Sequence, residues 1–114
     1  MRIYIDGGTR NSNICLVDGD TIIIKHRKNG STNNELEYLA LLYALGYIRS
    51  EYKGIDVTIC SDSLLVVNQM NNKWRVTTPN LLKLHDKSKS MITPWIKIIW
   101  VSRKVNFAGH VLEK

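Results

Sequence analysis

The chain has 114 residues, 44% hydrophobic and 23% charged, a composition that excludes intrinsic disorder and collagen-like repeats. That length fits one domain, residues 1–114, large enough to bury a core without disulfide or metal staples. Sixteen Lys and Arg against ten Asp and Glu give a net charge of +6, and the longest apolar run, Tyr38 to Leu45, has eight residues, far short of the ~18 that a membrane span needs.

The N-terminus reaches an acid, Asp6, too early for a secretion signal. It alternates as a strand, with Arg2, Tyr4 and Asp6 on one face and Ile3 and Ile5 on the other. Gly7-Gly8 through Asn13 reads as a turn and Ile14 to Val17 as a second strand. Asp18-Gly19-Asp20 is a hairpin signal, and Thr21 to Lys25 a third strand, closed by the basic stretch His26 to Ser31. Thr32-Asn33-Asn34-Glu35 fits a capping box opening a long helix to about Ile48, with Gly54 closing it. That helix is apolar nearly all round, which predicts cover on most sides. Ile55 to Cys60 alternates as a fourth strand, and Ser61-Asp62-Ser63 opens a helix through Met70. Pro79-Asn80 starts another helix reaching about Met91, Ile96 to Val101 is the last strand, and Asn106 to Glu113 a short final helix. The order βββ-α-β-α-α-β-α links strands one and four across a helix, predicting a parallel pair with a right-handed crossover. Asp6 and Asp62 then lie side by side.

Charge is segregated along the chain. Residues 71–104 carry eight basic side chains and one acid, Asp86, whereas residues 35–62 carry five acids against Arg49 and Lys53. A basic half suits a polyanion, because neutralising phosphates releases counterions; a solvated lysine-rich surface is the alternative reading. Cys15 and Cys60 are too few and too far apart for a zinc site and read as buried free thiols of a reducing cytosol. A cytoplasmic protein is therefore expected, with no membrane association and no protein partner indicated.

Three carboxylates need a reason. Asp6 and Asp62 end apolar strands, and Glu37 stacks over Ala40, Leu41 and Ala44, which offer it no partner. An unpaired carboxylate among apolar neighbours costs several kcal/mol or protonates. Singly, each has a structural explanation: Asp6 starts a turn, Asp62 caps a helix, Glu37 favours a helix N-terminus. Together they are explained by convergence on hard divalent cations, magnesium or manganese, a pair of which roughly 3.5–4 Å apart supports phosphodiester cleavage. Glu35 is accounted for by the capping box alone.

The runs Tyr4-Ile5-Asp6-Gly7-Gly8, Thr32 to Tyr38, Ser61 to Val67 and Val101 to His110 resemble, in order and spacing, type 1 ribonuclease H in a compact form lacking the basic protrusion. The resemblance covers essentially the whole chain. It implies an α/β fold with a five-stranded mixed sheet flanked by helices. It also implies an endonuclease hydrolysing the RNA strand of RNA–DNA hybrids with two Mg2+ ions, Mn2+ being a substitute. Carried over, Asp6 bridges both ions, Glu37 binds the ion on the leaving-group side near the ribose, and Asp62 holds the ion that activates water. Asn33 and Asn34 match a polar pair used near 2′-hydroxyls, contacts that distinguish RNA from DNA. Thr32 matches a residue of a DNA-phosphate pocket, although capping alone also explains it.

Three departures stand out. His110 occupies the place of the family's last aspartate and is expected as a fourth catalytic and metal-binding residue, with a bystander role as the alternative and Glu113 next in line. Residues 71–78 are too short for the protruding basic helix, so Lys73, Trp74 and Arg75 are expected to grip the hybrid, Trp74 in the core being the competing reading. Arg103 stands where many members carry a mobile histidine; certain compact members also use arginine there, so the departure does not count against activity, and Arg103 is expected among the substrate-binding residues. Two other functions remain. Against a non-catalytic nucleic-acid-binding module on the same fold weigh three costly acids. Against a junction resolvase or transposase-like nuclease weighs the Thr32-Asn33-Asn34 motif.

Overall fold

Seven residues, Arg2–Gly8, form the first strand β1, followed by β2 (Asn13–Asp18) and β3 (Thr21–His26) as an antiparallel meander. Helix α1 (Asn33–Glu51) leads to β4 (Val57–Ser61), then α2 (Leu64–Met70) and α3 (Pro79–Met91) to β5 (Ile96–Trp100). A 3-10 turn, Arg103–Val105, precedes the last helix, α4 (Phe107–Leu112). The computed structural model describes residues 1–29 and 31–113; Gly30, inside the stretch expected to close β3, and Lys114 lie outside the described residues. The sheet order is β3-β2-β1-β4-β5, with β1–β4 and β4–β5 parallel; the meander and the β1–β4 pair are as the sequence predicts. No helix among the described residues is long and apolar enough to cross a membrane.

Alternation along β1 divides the core in two. Ile3 and Ile5 pack with Leu36, Leu41, Leu45, Ile59 and Val66 beneath α1 and α2, whereas Tyr4 joins Cys15, Val17 and Ala108 under α4. Both cysteines are buried and free. Helix α1 buries Leu36, Tyr38, Ala40, Leu41, Ala44, Leu45 and Ile48 against β1, β2 and α3. Of its remaining apolar residues, all half-buried, Leu42, Tyr43 and Tyr47 lie beside Ile23, so the expected all-round cover is incomplete on that side.

Most strand ends shift by one residue from expectation, the last strand stopping at Trp100 rather than Val101, and three boundaries have a clear physical reason. β1 does not end at Asp6, because Gly7 and Gly8 keep pairing with Ile14 and Asn13. Here the missing side chain matters: a Cβ on Gly7 would lie 2.8 Å from the Glu37 backbone nitrogen, closer than real Cβ contacts allow. Ile55 and Asp56 are exposed and precede β4, since the Ile55 N–H is drawn into a turn by the Tyr52 carbonyl at 3.1 Å, across Gly54 at φ 78°. At the C-terminus Asn106 is the cap of α4, its side chain accepting from the Ala108 N–H.

Candidate active site

Three elements deliver the three carboxylates to one end of the sheet. Asp6 sits inside β1 opposite Cys15. The capping box fixes the start of α1: Glu35 N–H donates to Thr32 Oγ1 at 3.2 Å, and Thr32 N–H to Glu35 Oε1 at 2.8 Å. That register brings Glu37 over β1, where its Oε1 accepts the Gly7 N–H at 2.6 Å. At the end of β4, Ser63 caps α2 through Val66 N–H, and Ser61 Oγ accepts the Ser63 N–H at 3.0 Å. Capping therefore does not use Asp62, contrary to its structural explanation. Ligand atoms of Asp6, Glu37 and Asp62 all lie within 4.8 Å of one another, lining a cleft of about 400 Å³ that Gly8, Arg10, Asn33, Arg103 and Glu113 also border.

Electrostatics in this cleft are strained. Burial, reinforced by the Asp62 charge, pushes Asp6 up to about 6. Burial and then the charges of Asp6 and Asp62 push Glu37 up to about 9, against the opposing pull of the Gly7 N–H. Both side-chain oxygens of Asp6 are buried without a well-formed hydrogen bond, the Glu37 carboxyl and the Gly7 N–H easing its charge only weakly. Buried polar atoms almost always have partners, so an exception asks for an explanation. An all-oxygen, acidic donor set with oxygens lacking a well-formed hydrogen bond fits a hard divalent cation.

The other expected site residues fall into four groups. Asn33 borders the cleft, Asn34 is exposed beside it, and Thr32 is the α1 cap. Arg103 enters the cleft directly, with Nη1 3.3 Å from Asp62 Oδ2 and 3.6 Å from Asp6 Oδ1, and with Nε–H donating to Glu113 Oε1 at 2.9 Å. His110 is the exception. Its Nε2 lies 3.0 Å from the Arg103 carbonyl and it is absent from the carboxylate group, so this geometry does not supply the expected fourth ligand. The helix brings His110 to the right neighbourhood, but the backbone oxygen of the 3-10 turn takes up its ring nitrogen.

Lys73, Trp74 and Arg75 line a separate cleft of about 460 Å³ with Gln69, Leu82 and His85. They follow α2 at the end opposite Asp62, about 10 Å along a helix of seven residues. Trp74 is 47% exposed, which decides against the core reading. Asn68 O accepts both the Lys73 and Trp74 N–H groups, and Gln69 Nε2 donates to Arg75 O while its Oε1 accepts Tyr38 Oη–H at 2.6 Å. The basic segment is thus tied to the helix that begins at the site.

Asn106 was not among the expected site residues. Fully buried, it donates Nδ2 to Ile5 O at 3.0 Å and to Asp62 Oδ2 at 2.9 Å while its Oδ1 caps α4. One side chain thereby locks strand, carboxylate and final helix together. A cap asparagine is visible in sequence, but its long-range partners are not. Gly109 completes the arrangement, since a Cβ there would stand 3.4 Å from Asp62 Oδ2 and 3.5 Å from Asp6 Oδ2, filling space beside both acids.

Residues 10–114 match the family described as reverse transcriptase-like. The chain belongs to the reverse transcriptase-like family. Among curated relatives, the bifunctional protein Rv2228c of Mycobacterium tuberculosis is 28% identical over 93% of this chain. The chain spans 33% of that relative's length, so it matches about a third of the relative. Ribonuclease H1 of the halophilic archaeon Halobacterium salinarum superposes with a TM-score of 0.80 at 26% identity, covering 97% of this chain and 92% of that one. The N-terminal ribonuclease H domain of Rv2228c gives a TM-score of 0.79 at 27% identity, covering 97% and 93%. LC11 ribonuclease H1, solved with an RNA/DNA hybrid, shares the fold with a TM-score of 0.77 at 24% identity over 93% and 88%. This reverse transcriptase-like chain therefore has the ribonuclease H fold, and its resemblance to type 1 ribonuclease H holds across the sheet and its helices.

Proposed function

We propose that residues 1–114 act as a self-contained endonuclease that hydrolyses the RNA strand of RNA–DNA hybrids with two divalent ions. The observation that carries this reading is the convergence of Asp6, Glu37 and Asp62 within 4.8 Å, with both Asp6 oxygens buried without a well-formed hydrogen bond. A module that only binds nucleic acid gains nothing from three mutually repelling acids, whereas cations offset their repulsion. Asp6 is the candidate to share both ions, with Glu37 on the leaving-group side and Asp62 on the side of the attacking water. Mg2+ is the expected ion and Mn2+ its substitute, as the oxygen donors suit both. Bound there, such ions make water nucleophilic at neutral pH and stabilise the oxygen that leaves.

The chain's own groups perform the remaining tasks. Asn33 and Asn34, at the first turn of α1 beside the acids, offer amide groups to 2′-hydroxyls. Thr32 holds that turn in register and offers its hydroxyl to a phosphate. Arg103 is the cation positioned to meet a phosphate at the cleft, and Lys73, Trp74 and Arg75 extend the grip along α2 with charge and a flat aromatic face. The hybrid held by the similar LC11 enzyme supports the same substrate here.

Incubating labelled hybrid, duplex RNA and duplex DNA with the chain in Mg2+, Mn2+ or chelator tests the reading. Metal-dependent cutting confined to the RNA strand of the hybrid is expected. An intact hybrid in both metals, or equal cutting of duplex DNA, overturns it.

A further inference from the structure

We infer that Arg103 is a built-in counter-ion of the acidic cleft, one that must withdraw from Asp6 and Asp62 for divalent ions to bind, and that Glu113 is the anchor on which it pivots. This inference rests on the metal-site part of the proposed function and adds what sets the site's affinity. Nη1 of Arg103 lies 3.3 Å from Asp62 Oδ2 and 3.6 Å from Asp6 Oδ1. A cation coordinated by those oxygens and a guanidinium in that place repel each other at a distance where screening is weak. The rest of the side chain is built to let go. It is 54% exposed, and its Nε donates to Glu113, which is 53% exposed and borders the same cleft.

The backbone, by contrast, is held. The Arg103 carbonyl is engaged by His110 Nε2 at 3.0 Å and accepts the Asn106 N–H at 3.3 Å. Motion is thus confined to the side-chain tip. Withdrawal keeps the Nε–Glu113 bond and surrenders only the Nη1 contacts. In this role Arg103 and Glu113 are positioning residues for the metal site, and His110 serves it by fixing the turn rather than by ligation.

Binding of Mg2+ alone, without nucleic acid, measures the effect through calorimetry and through the rise in melting temperature with ion concentration. Arg103→Gln should bind Mg2+ about tenfold more tightly, while Lys104→Gln, which removes a neighbouring exposed cation, should change affinity by less than about twofold. In chelator, Arg103→Gln should melt below the parent, and saturating Mg2+ should erase that deficit. Glu113→Gln should weaken Mg2+ binding about threefold in the parent but leave it unchanged in the Arg103→Gln background, because its action passes through Arg103. Equal shifts for Arg103→Gln and Lys104→Gln, or a Glu113→Gln effect that survives without Arg103, overturn the inference. A chain that shows these shifts yet leaves hybrid intact keeps the counter-ion and loses the nuclease. Hybrid cleavage without the shifts does the reverse, and no Mg2+ response in parent or Arg103→Gln removes both.

Discussion

Two aspartates on neighbouring strands have opposite surroundings. Asp18, at the end of β2, accepts hydroxyl hydrogen bonds from Tyr47 at 2.8 Å and Tyr52 at 2.6 Å. Asp6, on β1, is buried more deeply and accepts no well-formed one. A carboxylate already supplied with protein donors is finished as a structural element, tying strand to helix. One buried without a well-formed protein donor is left free to meet a cation, and Asn106, Gly7 and Arg103 hold its neighbours in place. The contrast separates a structural acid from the proposed functional one without reference to sequence motifs.

Exchanging the two acids tests that contrast most severely. Asp6→Asn should cut hybrid hydrolysis by more than roughly 100-fold, beyond the usual cost of disturbing groups outside the ligand shell, and should raise the melting temperature in chelator by relieving burial of a charge. Asp18→Ala should leave turnover rates within about twofold while lowering the melting temperature, since two tyrosine hydroxyls lose their acceptor. Turnover surviving Asp6→Asn, or lost with Asp18→Ala, would reverse the assignment.

A second test uses pH. Glu37, raised from 4.5 to about 9, and Asp6, raised from 3.8 to about 6, bind protons more tightly folded than unfolded. Their protonation therefore contributes stability that is complete below the unfolded values and is lost as pH rises through the folded ones. In chelator the melting temperature should fall as pH rises from 3.8, the lower unfolded value, to about 9, the higher folded one. Glu37→Gln or saturating Mg2+ should flatten the decline. A profile unaltered by Glu37→Gln breaks the comparison.

Asn106→Ala gives a smaller effect that sharpens it. Loss of the α4 cap and of the Asp62 partner should cost about 2–3 kcal/mol in denaturant melts and weaken Mg2+ about 10–100-fold; an unchanged ion affinity would confine Asn106 to stability. The smallest effect is expected from Lys73→Ala combined with Arg75→Ala. It should raise the Michaelis constant, leave the maximal rate within about twofold, and reduce the log–log salt slope by about 1.8, the loss of two phosphate contacts. An unchanged slope removes these residues from the binding surface.

Most of the frame was legible because local rules governed it. Alternation revealed the strands, the Thr32–Glu35 box marked the start of α1, and a helix between strands one and four predicted their parallel pairing. The three acids were legible for the same reason: each sat where its own element offered it nothing. What escaped the sequence depends on contacts between distant segments. The reach of Asn106 to Ile5 and Asp62 spans 101 and 44 residues, and no periodicity carries that. His110 shows the limit most plainly: spacing along the last helix brings it near the acids, but its orientation depends on the Arg103 carbonyl, seven residues away, in a 3-10 turn that no sequence signal announced.

The glycine at position 7 has a consequence for how far this site could be redesigned. Where β1 passes beneath the start of α1, strand and helix backbones touch with no clearance for even one methyl group. The separation between Asp6 and Glu37 is therefore a tolerance machined into the main chain, not a matter of side-chain choice. Acids could be exchanged, lengthened or neutralised on either element while the gap between them stays the same. Widening that gap requires shifting the whole helix, so the site accepts new chemistry more readily than it accepts a new size.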